Sequence, residues 1–202
     1  MIRIVFILIC IGFANLVTAQ DFPSRIWHDG RIVTTDRDTL KGDVMYNMEA
    51  NTLLLMVSKK RQLSFSSKKV LFFEIYDATV KNFRQFYAIP YKVSQDFKTP
   101  IFFEVLYEGA LTLLVRERII IENDVSSTSY RGMRSGREAL EYTYYFVDKK
   151  GNMKKYDSGK KNDLYPIFIK NQEKVIQFIK SNKLHIDRMR DLVRITAFYN
   201  SI

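Results

Sequence analysis

Cysteine is nearly absent from this chain. The single Cys10 sits in an apolar run near the N-terminus. No disulfide can form within the chain, and once that run is removed no thiol chemistry and no Cys-rich zinc site remain. Histidine is almost as scarce. His28 and His185 are the only two, and neither has a second His or a Cys at ligand spacing. His28-Asp29 beside Trp27 reads as a turn histidine next to a buried Trp, and His185 as a linker residue. No Gly-x-Ser-x-Gly elbow occurs, and Arg134-Ser135-Gly136 does not supply one. Gly159-Lys160-Lys161 fails as a phosphate loop at both ends, and no dinucleotide fingerprint occurs. The motifs therefore imply no cofactor.

Long apolar runs are missing after the first 20 residues. Arg3 gives a short positive region, Ile4 to Ala14 is apolar, and Val17-Thr18-Ala19 places tolerated residues at the −3 and −1 positions. This pattern predicts a secretory signal peptide over residues 1–19, cleaved before Gln20. Ile4–Val17 is too short for a spanning helix, which needs about 20 residues. Cleavage leaves 183 of the 202 residues, without cysteine, and lowers Lys+Arg from 32 to 31 against 22 Asp+Glu, a net charge of +9. The expectation is a soluble, exported domain, periplasmic or associated with the outer envelope and held together by its core alone.

Phe102–Ile121 (FFEVLYEGALTLLVRERIII) is the most apolar stretch that remains. It reads as a hairpin, with arms Phe102–Tyr107 and Ala110–Ile121 and a reversal at Glu108-Gly109, where glycine is expected to supply a positive φ. Arms this apolar place the hairpin at the centre of a sheet, covered on both faces. Upstream, Arg31–Thr35, Leu40–Met48, Thr52–Ser58, Leu63–Ser67 and Val70–Tyr76 read as short strands about ten residues apart. In Leu40–Met48, Leu40, Gly42, Val44 and Tyr46 share a face. Phe83–Ile89 reads as a strand, followed by an irregular approach through Pro90 and Pro100. Ala139–Val147 and Met153–Ser158 form a second hairpin.

After Gly159 the period changes. Asn162–Lys170 predicts a helical turn or two, limited by Pro166. Asn171–Ser181 predicts a helix capped by Asn171, and Asp187–Asn200 predicts another with the stripe Met189, Leu192, Val193, Thr196 and Tyr199. Neither is long enough to stand alone in water. The expected fold is α+β: a mainly antiparallel β-sheet or partly open β-barrel over residues 20–158, closed by two or three short helices of residues 159–202 on the same domain.

Two features bear on function. Glu122–Glu138 reads as a long polar loop carrying Tyr130, Arg131, Arg134 and Arg137. Guanidinium groups at every third position beside an aromatic ring suit a phosphate or carboxylate ligand. Glu104 lies inside an apolar strand and needs a basic partner, expected to be Arg116 or Arg118 on the facing arm. Carboxylate pairs such as Glu104 with Glu108 and Glu138 with Glu141 occur, but acid–base work needs a pair held across a cleft, which spacing cannot show. The reading is a non-enzymatic envelope protein that binds a partner protein or an anionic lipid or glycan. The alternatives are a hydrolase using carboxylate and Arg chemistry, Glu104 with Arg116, and a structural accessory of an outer-membrane assembly. Export argues against nucleic acid despite the basic charge.

The signal peptide, the early Trp and Gly, Leu40-Lys41-Gly42-Asp43-Val44, the FFEVLYEGALTLL hairpin and the closing Ala197-Phe198-Tyr199-Asn200 together resemble a group of exported proteins typical of Bacteroidetes. The resemblance implies envelope residence and supplies no active-site residues.

Overall fold

A computed structural model describes residues 22–94, 97–123 and 136–202. It contains one open ten-stranded antiparallel sheet followed by three short helices. The strands are β1 (His28–Thr34), β2 (Thr39–Asn47), β3 (Thr52–Ser58), β4 (Arg61–Ser66), β5 (Val70–Asp77), β6 (Asn82–Lys92), β7 (Lys98–Tyr107), β8 (Leu111–Asn123), β9 (Gly136–Asp148) and β10 (Met153–Tyr156). The helices are α1 (Lys161–Leu164), α2 (Gln172–Ser181) and α3 (Met189–Ser201). Pairing runs β10-β9-β8-β7-β6-β5-β1-β2-β3-β4, so β5 returns past a four-strand meander to pair with β1. Both ends of the order are free, and the sheet does not close into a barrel. Among the described residues no helix is long and apolar enough to cross a membrane.

Strand alternation sorts the core. On the inner face Ile32, Val44, Tyr46, Leu53, Leu55, Phe73, Ile75, Phe86 and Phe102 form one buried cluster over β1–β3 and β5–β7. Phe73 and Phe86 stack at 4.5 Å, and Phe102 meets Phe73 edge-on at 5.1 Å, so aromatic geometry adds to the burial of area. A second inner cluster joins Leu113, Val115, Tyr144 and Phe146 of β8 and β9 to Leu164, Phe168, Val175, Ile179, Leu192 and Ile195. The helices thus cover one end of the sheet, as their short amphipathic sequences require. In α3 the buried stripe is Leu192, Ile195 and Thr196, with Met189, Val193 and Tyr199 only partly covered. No side-chain cap bond forms at Asn171, contrary to expectation; its amide lies 3.5 Å from the Ile202 carbonyl.

The apolar hairpin is β7–β8, internal to the sheet. Phe102 and Phe103 are both fully buried on opposite faces, whereas Ile121, at the far end, is 69% exposed. Gly109 is not in the left-handed region, contrary to expectation. It is required for space: a Cβ there would lie 2.8 Å from the Asn200 side chain. That side chain accepts from the Leu111 amide and donates to the Leu111 carbonyl, both at 2.8 Å, as a neighbouring strand would.

Three local readings are corrected. His28 belongs to β1, not to a turn. It is buried, its Nε2 donates to the Pro23 carbonyl at 2.7 Å, and the neighbouring Trp27 is the partly exposed one. The approach through Pro90 and Pro100 is regular strand, with the two prolines opposite each other. β5 has stopped pairing with β6 at Tyr87, and β8 with β7 at Glu104, so both strands are locally edges that tolerate proline. Finally, β8 and β9 run into the segment read as a loop, pairing as far as Asn123↔Gly136. Glu122 opposes Arg137 there, and opposite charges across a strand pair support the extension.

Asn200→Ala should cost about 1–2 kcal/mol, because two backbone groups of β8 lose their partner. Urea unfolding measures it, and an unchanged midpoint would show that the C-terminal helix docks by apolar contact alone.

Candidate functional site

Between the two inner clusters lies the one concentration of buried charge among the described residues. Arg84 on β6 shares its face with Phe86, whose ring lies 5.1 Å from the guanidinium carbon. Asp77 ends β5, Glu104 is on β7, Glu117 on β8 and Tyr46 on β2. Their side chains are at most 10% exposed for the Arg and the three acids, and Tyr46 is fully buried.

Arg84 spends all five N–H groups here. Nε donates to Glu104 Oε1 at 2.9 Å and Nη2 to Glu104 Oε2 at 2.7 Å, a two-pronged pairing. Nη2 also donates to Glu117 Oε2 at 2.9 Å. Nη1 donates to Asp77 Oδ2 and to the Tyr46 hydroxyl, each at 3.0 Å. The Tyr46 hydroxyl donates a hydrogen bond to Glu117 Oε1, and Asp77 Oδ1 accepts from the Thr79 amide and hydroxyl. Each of the six carboxylate oxygens is therefore engaged. Among the described residues no buried side-chain nitrogen or oxygen lacks a partner.

One cation faces three acids, and the protonation equilibria reflect it. Burial pushes the Glu104 carboxyl above the ordinary glutamate range, although Arg84 opposes the shift. Asp77 is held below its ordinary value: burial alone would raise it, but the bonds from Thr79 and Arg84 outweigh that. Arg84 is held more firmly charged than usual by Glu104, against the effect of burial. Desolvation keeps the Tyr46 and Tyr142 hydroxyls protonated.

Glu104 thus has its basic partner on β6, correcting the expectation of Arg116 or Arg118. Arg116 projects from the other face of the sheet. It donates to the Met48 and Phe102 carbonyls and to Asn51 Oδ1 at 3.0 Å, and it lies over the Phe103 ring. Asn51 Oδ1 also takes the Phe102 amide at 3.1 Å. The β2–β3 turn therefore fills the gap where β7 and β8 part. Arg118 is exposed and pairs with Glu141. An acid–base pair of Glu104 with Arg116 is not assembled.

A pocket of about 320 Å³ opens between this turn and the β8–β9 arm. Glu117 is the cluster member that lines it. Arg25 and Glu138, bonded at 2.6 and 2.7 Å through both branches, stand at its rim. Among the described residues no group of three His, Cys, Asp or Glu side chains could hold a metal ion.

The outer face of the sheet is different in kind. Phe72 and Tyr76 on β5 stand beside Tyr87 and Phe83 on β6; the first pair stacks at 5.4 Å and the second meets edge-on at 5.2 Å. Phe83 is 63% exposed, Tyr76 38% and Tyr87 36%. Arg31 lies over Phe72 and bonds Glu74, which also accepts from Gln85. A shallow groove of about 190 Å³ continues this surface across Ile89, Val105, Leu114 and Val147.

Of the residues singled out in the sequence, Tyr130, Arg131 and Arg134 lie outside the described residues. Arg137 lies on β9, not in a loop, with its side chain 78% exposed and 3.6 Å from Glu122. The sequence reading passed over Arg84. Its signal was there: Arg84 takes the period-2 position of Phe86 and Ala88, a core row in which a charge demands partners.

Arg84→Met should destabilise the fold by about 3–5 kcal/mol, since it strands three buried acids, while Glu104→Gln should cost far less because it also removes surplus negative charge. The raised Glu104 carboxyl binds its proton more tightly in the folded chain than in the unfolded one. Its contribution is therefore complete below the ordinary glutamate range and is lost as pH rises. As pH rises from the ordinary glutamate range upward the wild type should lose stability relative to Glu104→Gln, as read from urea midpoints at successive pH values. A difference that stays flat or reverses would contradict the assignment. No protein-family model matches this chain, and neither do curated proteins or solved structures.

Proposed function

We propose that this is an exported, non-enzymatic envelope protein that binds a partner protein through the outer face of β5 and β6. The observation that carries the reading is the outer-face aromatic quartet of half-buried Phe72 and exposed Tyr76, Phe83 and Tyr87, set on two adjacent internal strands with Arg31 alongside. Large aromatic side chains and arginine dominate the energetics of protein interfaces. Four aromatic rings gathered on one face form an apolar patch, and patches of this kind mark contact surfaces on soluble proteins. The rings already stack on one another, which lowers the entropy lost on docking. The polar trio Arg31, Glu74 and Gln85 supplies directional bonds among them.

The signal-like N-terminus and the resemblance to exported Bacteroidetes proteins set the compartment in which that partner is sought. The carboxylate cluster supports the same reading from the other side: its oxygens are committed to Arg84, Tyr46 and Thr79, so it serves as a clasp within the sheet.

Immobilised wild-type protein should retain a defined partner from envelope extract. The double variant Phe83→Ser/Tyr87→Ser should lose it, because truncating a central aromatic anchor costs about 2 kcal/mol or more, roughly a 30-fold weakening each. Both side chains lie on the outer face, outside the buried clusters, so the variant should still fold, which its melting temperature checks. Equal retention by the variant would contradict the reading.

A further inference from the structure

The helical end of the molecule carries a second concavity, remote in sequence from the aromatic face. We propose that it is an anion site that takes a phosphate group. The cleft has a volume of about 440 Å³. The β10–α1 connection forms one wall, and the end of α2 with the loop after it forms the other. Ile179, Leu184 and Ile186 give it an apolar floor.

Three lysines line this cleft: Lys161, Lys180 and Lys183. His185 and Tyr165 stand with them, and Asp187 is the one acid in the lining. None of the three lysines takes part in an ion pair among the described residues. Their neighbours differ, since Asp157 holds Lys155 at 2.9 Å and Lys160 at 3.5 Å. The lining therefore carries a surplus of two positive charges, and a concave apolar floor focuses that field. Compact, mobile ammonium groups suit a phosphate as point charges.

Two further observations argue that the cleft is built. Its walls are tied together. Buried Tyr156 donates its hydroxyl proton to the Ile186 carbonyl at 2.9 Å and accepts the Gly159 amide at 3.0 Å, and Ser158 Oγ donates to the Asp187 carbonyl at 3.3 Å. Asp191 adds a hold by accepting the His185 amide at 3.0 Å. The second observation is Lys183 itself. It has a φ of +51° just past the end of α2, where the Leu184 amide reaches back to the Ile179 carbonyl at 3.0 Å. Glycine is the usual occupant of that left-handed position, and a side chain there is sterically disfavoured. Arg37, Asn51 and Lys81 adopt the same conformation between strands, so what marks Lys183 is its place in the cleft lining.

Lys183→Gly separates site from scaffold. It should leave the melting temperature unchanged or raise it, and it should weaken binding of inorganic pyrophosphate, followed by calorimetry at low salt, by about tenfold. The triple variant Lys161→Ala/Lys180→Ala/Lys183→Gly should show no measurable binding. Co-sedimentation with phosphatidylcholine vesicles containing phosphatidic acid identifies the source. Sedimentation that the triple variant loses assigns a lipid-borne phosphate, whereas pyrophosphate binding without sedimentation assigns a soluble one. Failure of the wild type to bind either probe overturns the site, as does wild-type affinity in the triple variant. A Lys183→Gly protein that melts lower and binds as before would make Lys183 structural and remove it. The proposal does not depend on the aromatic face: Phe83→Ser/Tyr87→Ser should bind pyrophosphate as the wild type does.

Discussion

The structure depends on one guanidinium. In the hydrogen-bonded order, four strands stand between β2 and β8, yet the Tyr46 hydroxyl of β2 donates a hydrogen bond to Glu117 of β8. A flat sheet would hold these strands far apart, since neighbours are spaced about 4.8 Å. The sheet must therefore curl, and Arg84 sits where the curl converges. Its five donors tie the ends or middles of β2, β5, β7 and β8 to β6. Against a well-packed apolar replacement, a buried ionic cluster contributes little net stability. What it imposes is selectivity among arrangements. Any register that carried Arg84 to the outer face would leave three acids without a cation, so the fold is fixed against slippage by one residue.

The cluster also divides the interior into two bodies with different support. On one side the curled strands pack aromatic rings against each other without help from helices. On the other side β8 and β9 rely on α2 and α3, neither of which would persist in water alone. The β2–β3 turn and Arg116 lock the seam from outside, while Asn200 closes the far end by imitating a strand neighbour. Side chains carry out joins that backbone pairing leaves open. This concentrates the inward-facing chemistry on scaffolding, whereas the outer aromatic quartet and the lysine-lined cleft lie at the surface.

Much of this was legible in the residues. Thr52–Ser58 is β3 to the residue, the greasy Phe102–Ile121 segment is the internal hairpin, and the change of period after Gly159 marks the helices. Local alternation and turn chemistry suffice there. The Arg84 cluster was only half visible, because Glu104 announced the need for a cation while its partner lay 20 residues upstream on the other neighbouring strand. Sequence offers two facing arms and does not say which one supplies it. The aromatic face was hidden for a related reason. In Phe83–Ile89 both rows of the alternation carry rings, so hydrophobicity cannot tell Phe86, which is buried, from Phe83, which is not. Curling of the sheet decides, and curling is a property of the whole chain.

Coupling between Tyr46 and Glu117 tests the central claim most directly. A double-mutant cycle of Tyr46→Phe and Glu117→Gln, read from urea unfolding, should give an interaction energy of about 1 kcal/mol or more, because the two side chains share one bond across the curl. Strictly additive losses would mean that β2 and β8 do not meet, and the clasped sheet described above would be wrong.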